Sequence, residues 1–296
     1  MTSFRADRGR LDQVVAERLG VARSAAQRAI AEGRVQVDGH ARTKSHRLGG
    51  GELVDVDLSV GQALPPEGPP VPVRFEDEHL MVVAKPAGMA THPTERRRTG
   101  TLVNRLLGMG VPLSSSAGPL RAGIVHRLDA GTSGLLLVAK TDRAHELLSG
   151  MLARREVGRR YLALVRGAVA HARFAVEAPL GRHRARVAVR RGTGKEAETA
   201  FEVLERLGRA TLLEAAPRTG RTHQIRVHLS SIGHPILGDR AYGGGGDDAK
   251  GLGLARPFLH AARLTLAHPV TGEEIDLREP LPADLVRALD RARGAA

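Results

Sequence analysis

Short apolar runs separated by turn-forming residues recur along the chain, and their spacing changes from one region to the next. In residues 10–58, Leu11, Val14, Val15 and Leu19 recur at helical spacing and Gly20 ends the run, which predicts a first helix. Ser24 opens a second, with Gln27 three residues on as in a capping box and Gly33 after its last turn. Val35 and Val37 alternate with polar residues and lead into Asp38-Gly39, a hairpin signal, and Leu53, Val54, Val56 and Leu58 supply a later strand. The predicted order is helix, helix, short β-hairpin region, a small module over residues 1–60.

Residues 61–72, GQALPPEGPPVP, carry five prolines and two glycines and read as an extended, semi-rigid linker ahead of a second domain that starts near residue 72 and continues to 296. Within it, Leu80–Ala84 is a continuous apolar run, as in a strand buried on both faces, and Lys85-Pro86-Ala87-Gly88 turns the chain. A Gly/Ser/Pro loop spans 108–119, a helix His145–Leu152, and strands Tyr161–Val165, Glu198–Leu204 and Ala210–Ala216. Strands and helices mix without a regular βαβ repeat, which predicts α+β and not a doubly wound sheet. The run Gly243–Gly246 with Asp247-Asp248 reads as a mobile loop.

Two segments place charge where the apolar pattern predicts burial. Residues 123–140, GIVHRLDAGTSGLLLVAK, set His126, Arg127 and Asp129 between two apolar runs, Gly123–Val125 and Leu135–Ala139, which read as strands. An unpaired buried charge is strongly disfavoured, so the cluster is either a structural Arg–Asp pair closing a turn or a carboxylate at the floor of a reactive cleft. In residues 218–239, Ile225, Leu229 and Ile232 have helical spacing, Gly233-His234-Pro235 stops the helix, and Thr219 and Thr222 are candidate caps. A helix starting there would put Arg221, Gln224, Ile225 and His228 on one face. A guanidinium at the helix start suits bidentate pairing with a carboxylate, and Asp129 is the candidate partner of Arg221.

Composition narrows the chemistry. The 296 residues include no cysteine, which removes disulfides, thiolate nucleophiles and cysteine-rich zinc sites and fits a cytosolic protein. The first ten residues lack the apolar region of a signal peptide, and no apolar run is long enough to span a membrane. Net charge is +13, and between Arg154 and Arg191 eleven arginines face two acids, Glu156 and Glu177. Such a block is the footprint expected for a polyanion. His223 and His228 lie five apart, on different sides of a helix, so a metal site is not indicated. There is no G-x-S-x-G elbow, no P-loop and no G-x-G-x-x-G after a strand, and the HRLD segment has one carboxylate, not the pair that glycoside hydrolysis usually uses. Arg221, His223 and Arg226 have an R-x-H-x-x-R spacing that also occurs in phosphodiester-transfer enzymes with a Tyr nucleophile. Aromatics make up 2% of the chain, and Tyr161 follows the Arg154–Arg160 block, where its ring suits base stacking or simple core packing.

Together these segments resemble the RluA-type family of pseudouridine synthases. Its hallmark HRLDxxTSG stands here as His126–Gly134, with Lys85-Pro86-Ala87-Gly88, Tyr161 in its strand, and Thr219–Arg226 followed by Pro235–Asp239 matching in order. The resemblance covers about residues 72–280, and residues 10–58 resemble the small RNA-binding module of the ribosomal-protein S-four type that precedes the catalytic domain in the RluD-like branch. It implies a catalytic domain with a mixed, mainly antiparallel sheet. It also implies isomerisation of uridine in RNA to pseudouridine, breaking the N1–C1′ bond and rejoining the base through C5, with no cofactor and no metal. By resemblance Asp129 is the catalytic carboxylate, Tyr161 stacks on the target base and Arg221 pairs with Asp129. The uridine must leave its stack, so base flipping is implied. His126, Arg127, Thr132, Ile225, Lys85 and Arg160 are expected around the flipped nucleotide, and Arg23 and Arg28 on RNA phosphate. Arg160 departs from the family pattern, which usually has Lys shortly before the Tyr. The expected substrate is large-subunit (23S) ribosomal RNA, bound by a cytoplasmic monomer; the alternatives are a tRNA substrate, or a non-catalytic RNA-binding or ribosome-assembly factor.

Overall fold

The structure, a computed structural model, describes residues 2–21, 23–57, 64–94, 97–184 and 186–295, the side chain of Arg28 excepted. Leu58 and linker residues 61–63 lie outside the described residues. The chain divides into two compact units, residues 1–63 and 64–296.

In the first unit, β1 (Thr2–Arg5), β2 (Gly9–Arg10), α1 (Leu11–Arg18), α2 (Arg23–Ala31), β3 (Val35–Val37), β4 (His40–Ala41), β5 (Arg47–Leu48) and β6 (Leu53–Val56) follow in order. An antiparallel sheet of order β1-β6-β3-β4 covers the two helices. Leu11, Val14, Val15, Ala26, Ala29, Ile30, Val35, Val37, Val54 and Val56 form its core, so the predicted helical and alternating faces do point inward. The edge strand β1 is absent from the sequence reading because its residues TSFR carry no apolar alternation. Gln27 does not close a capping box: its Nε2 donates to Asp12 Oδ2 at 2.7 Å. Asp12 is fully buried and also takes Arg10 and Arg23, at 3.1 and 3.0 Å. Hydrogen bonds from Arg10, then Gln27 and Arg23, hold its carboxyl far below the usual carboxylate range against the opposing effect of burial.

The second unit runs β7 (Val73–Glu76), β8 (Leu80–Lys85), α3 (Leu102–Gly108), β9 (Ser133–Ala139), α4 (Asp142–Ala153), β10 (Gly158–Arg166), β11 (Arg173–Glu177), β12 (Leu180–His183), β13 (Arg186–Val189), β14 (Glu198–Leu207), β15 (Ala210–Pro217), α5 (Gln224–Ser231), α6 (Asp247–Gly251), β16 (Leu259–Ala267), β17 (Glu274–Arg278) and α7 (Ala283–Gly294). A nine-stranded sheet has the order β11-β14-β15-β10-β16-β9-β8-β7, with β17 on β16. Its ladders are antiparallel except β16 with β9, where His260 faces Ser133 and Ala261 faces Gly134. The sheet is buried on both faces, which is why β8 and β9 read as unbroken apolar runs. Leu80, Val82, Leu135 and Leu137 pack under α4, while Met81, Val83, Leu136 and Val138 face the core that includes α3, α5 and α7.

Three expectations change. Gly123–Val125 is not a strand; the segment makes one bridge, Ile124 to Val138, because the chain must turn there to deliver residues 126–129. The Pro-rich stretch from Leu64 onward belongs to the second unit. Leu64 and Val71 are buried, Glu67 N donates to Asn104 O at 2.9 Å, and Asn104 Nδ2 donates to Pro65 O at 3.0 Å. The loop at the glycine run is shorter than expected, because Asp247 and Asp248 open α6; within it a Cβ on Gly244 would lie 1.6 Å from Ile236 O, so glycine is needed for close backbone packing.

Candidate active site

The segment from His126 to Thr132 leads into β9 and is held by a set of hydrogen bonds. Thr91 Oγ1 donates to Leu128 O at 2.7 Å and accepts from Leu128 N at 3.1 Å. Gly88 N donates to Ala130 O at 2.8 Å, and Thr132 N to Asp129 O at 3.0 Å. Arg256 Nη1 donates to Gly131 O at 3.3 Å while its Nε and Nη2 grip Asp284 of α7. The result is a rigid turn that presents Asp129, 16% exposed, to a cavity of about 420 Å³.

Arg226 holds the carboxylate. Its Nη1 donates to Asp129 Oδ2 at 3.0 Å, while Nε and Nη2 donate to Asp239 Oδ2 and Oδ1 at 2.6 and 2.9 Å. One planar guanidinium thus joins two carboxylates, a geometry a lysine cannot reproduce. Burial is the largest single influence on Arg226 and pulls its pKa down, but Asp239 and then Asp129 together outweigh it, and the group stays charged. The ring of Tyr242 lies 4.9 Å from the guanidinium carbon, adding a cation–π contact.

Arg221 is therefore not the partner of Asp129. α5 starts at Gln224, three residues later than that pairing needs, so Arg221 lies in the preceding loop, exposed, donating from Nε to Glu196 O at 3.0 Å. It lines the cavity without touching the carboxylate. Neither candidate cap acts as one: Thr219 Oγ1 donates to Gln224 Oε1 at 2.6 Å, and His223 occupies the N-cap position without a side-chain cap bond.

Tyr161, Thr132, Ile225, His126 and Arg127 do converge on the cavity. Tyr161 is 7% exposed, and burial raises its phenol above the ordinary value, so the ring presents a neutral apolar face. His126 Nε2 accepts the Leu137 amide at 2.9 Å, and burial, with Arg159 adding to it, pushes its pKa down to about 3. The imidazole is thus neutral, with its proton on Nδ1, and its role in this geometry is to seat the loop on β9. Arg127 is exposed at the cavity mouth.

Two other expected contacts are corrected. Lys85 is 1% exposed and does not line the cavity; its Nζ donates to Pro86 O and Met89 O, both at 2.8 Å, closing the turn that supports Ala130. Burial lowers its pKa to about 7, against a smaller opposing pull from Asp129. Arg160 points away from the cavity and pairs with Glu214 Oε1 at 3.5 Å. The next cationic position, Arg159, does line it, together with Tyr161 two residues on, beside a register shift at Arg160/Tyr161 that re-aims the strand. In the first unit Arg23 is tied to Asp12 with about half its side chain exposed, and the side chain of Arg28 lies outside the described residues. The sequence reading missed Arg226 as partner of Asp129, and with it Asp239, Tyr242, His223 and Arg159. The period-two offset of Arg159 from Tyr161 was an available signal. Among the described residues no group of three or more His, Cys, Asp or Glu is placed to hold a metal ion, and no helix is long and apolar enough to cross a membrane.

Comparison with known proteins agrees with this geometry. The sequence model of the RNA pseudouridylate synthase family matches residues 79–231, and that of the S4 domain matches residues 9–54. The chain is 41% identical over 276 residues to an uncharacterized RNA pseudouridine synthase of Bacillus subtilis, covering 92% of this chain and 89% of that protein. It is 43% identical over 295 residues to the ribosomal large subunit pseudouridine synthase D of Nitrosomonas europaea, covering 96% and 84%. Human RNA pseudouridylate synthase domain containing 4 superposes with a TM-score of 0.59 at 25% identity, over 75% of this chain and 93% of that one. The chain belongs to the RNA pseudouridylate synthase family, with an S4 RNA-binding domain preceding its catalytic unit.

Proposed function

We propose that Asp129 is the carboxylate that drives the conversion of uridine to pseudouridine, and that the substrate is large-subunit ribosomal RNA. The observation that carries the first part is the asymmetry of the carboxylate. Oδ2 is occupied by Arg226, and among the described residues Oδ1 accepts no hydrogen bond, with His223 Nε2 standing 3.8 Å from it. A carboxylate held by a guanidinium, with one open oxygen at the floor of a cleft, suits either attack on the ribose or removal of a ribose proton. The net reaction breaks N1–C1′, forms C5–C1′ and moves one proton from C5 to N1. A uridine reaches this floor only when flipped from its stack, and Tyr161 offers the flipped base an apolar face. Arg127, Arg159 and Arg221 around the cavity suit the flanking phosphates.

Several relatives bear the name ribosomal large subunit pseudouridine synthase D, which supports ribosomal RNA as the substrate. The cysteine-free composition fits action in the cytoplasm, and we take the monomer as the working unit. The test is incubation with unmodified large-subunit and transfer RNA transcripts, followed by base-specific mapping of pseudouridine. New sites confined to the large-subunit transcript are the expected result; sites confined to transfer RNA would overturn the substrate assignment.

A further inference from the structure

His223 has an unusual seat. It is the N-cap of α5, where Ser, Thr, Asp or Asn in an extended conformation is the rule, yet it takes φ 56 and ψ 21 and caps nothing with its side chain. A left-handed backbone is unfavourable for a residue with a Cβ and persists only where its surroundings fix it. Here it turns the imidazole into the cleft: His223 lines both the main cavity and the neighbouring one that shares Asp129. Its Nε2 stands 3.8 Å from Asp129 Oδ1, the oxygen that Arg226 leaves free.

The other ring nitrogen is held by Tyr242. Nδ1 lies 2.7 Å from Tyr242 Oη, and the two rings meet edge to face at 77° with centroids 5.6 Å apart. Burial raises the Tyr242 phenol above its ordinary value, so the hydroxyl keeps a hydrogen to donate, and His223 Nδ1, 2.7 Å from Oη, is placed to accept it. Burial keeps the imidazole neutral, which puts its one N–H on Nε2, facing Asp129. The same Tyr242 ring packs against Arg226, so one side chain braces both groups that confront the carboxylate.

We propose that His223 and Tyr242 are positioning residues for the reaction: Tyr242 fixes the tautomer of His223, and the Nε2–H of His223 orients the free oxygen of Asp129 when the occupied cleft tightens. This rests on the reading of Asp129 as the reacting carboxylate. At 3.8 Å the contact is longer than a hydrogen bond, as is common for catalytic contacts before substrate closes the site.

The test uses the full chain and an RNA that the unaltered protein modifies. His223→Asn retains a residue that tolerates the left-handed backbone, and Tyr242→Phe keeps the ring on Arg226 while removing only the hydroxyl. The expected result is a kcat at least tenfold lower for His223→Asn and several-fold lower for Tyr242→Phe, with KM within twofold. The double variant should be no slower than His223→Asn alone, because Tyr242 acts through His223. His223→Gly, which relieves the backbone strain, should unfold at or above the temperature of the unaltered protein and still lose kcat. Wild-type kcat in both single variants while Asp129→Asn is inactive would overturn the proposal and leave the role of Asp129 intact. Additive losses in the double variant, or losses that track a lower unfolding temperature, would also overturn it. An active Asp129→Asn would instead remove the reading on which it rests.

Discussion

Replacing Arg226 by methionine tests the charge arrangement beneath the cleft. The substitution roughly preserves apolar volume but removes three hydrogen bonds, two to Asp239 and one to Asp129. Asp239 is 1% exposed and would be left buried, with the Ala241 amide, at 3.1 Å, as its remaining hydrogen-bond donor among the described residues. Removing one member of a buried pair in this way destabilises by about 3–5 kcal/mol. For a unit of this size roughly 2–4 °C accompanies each kcal/mol, so the unfolding midpoint should fall by about 6–20 °C. Thermal unfolding followed by circular dichroism gives the midpoint, and pseudouridine formation below it gives the activity. Adding Asp239→Leu should restore much of the midpoint, since apolar replacement of both partners is close to neutral or better, but it should not restore turnover because Asp129 stays unheld. Arg221→Ala is the internal contrast: an exposed side chain with one backbone contact should shift stability by no more than about 0.5 kcal/mol. An Arg226→Met protein as stable as the original, or a larger loss from Arg221→Ala, would refute the pairing derived above.

Lys85 predicts a pH signature. Its pKa is lowered from 10.5 to about 7, so between those values the unfolded chain binds more protons than the folded one and stability rises with pH. Urea unfolding at pH 7 and pH 9 should show the unaltered protein gaining up to about 2–3 kcal/mol relative to Lys85→Met, and parallel pH dependence in the two proteins would contradict the buried-amine account. Arg159→Ala should weaken RNA binding and reduce the slope of log affinity against log salt by about one, whereas an unchanged slope would mean that Arg159 does not meet phosphate. Gly134→Ala should lower stability by roughly 3 kcal/mol: its Cβ would lie 2.3 Å from Ala261 O, in the one parallel ladder, with φ at +113°. A normal unfolding midpoint in that variant would contradict the register of β9 on β16.

The sequence made legible what depends on local pattern. The apolar runs at Leu80–Ala84 and Leu135–Ala139 became central strands, and the two N-terminal helices formed where their spacing put them; the acid at Asp129 could be read as a structural pair or as a carboxylate at a cleft floor, and it is both paired with Arg226 and part of the cavity lining. What it left open depends on three-dimensional register. Whether Arg221 or Arg226 meets Asp129 is decided by where α5 starts, and a left-handed His223 at the N-cap carries no sequence signal. Arg160 and Arg159 are adjacent cations, and only the strand's facing, re-aimed by the bulge at Arg160/Tyr161, decides which one sees the cleft. Lys85 shows the converse case, a basic residue whose amine closes a backbone turn and does not line the cavity.

The central claim, that Asp129 carries the isomerisation, is tested most directly by Asp129→Asn. The amide keeps the size of the side chain and removes its charge. With the unaltered protein as control, each would be incubated with large-subunit ribosomal RNA transcript and pseudouridine mapped by base-specific labelling, alongside RNA affinity. The account predicts new pseudouridine sites with the unaltered protein, none with Asp129→Asn, and nearly equal affinity for RNA. Substantial pseudouridine formation by Asp129→Asn would contradict it.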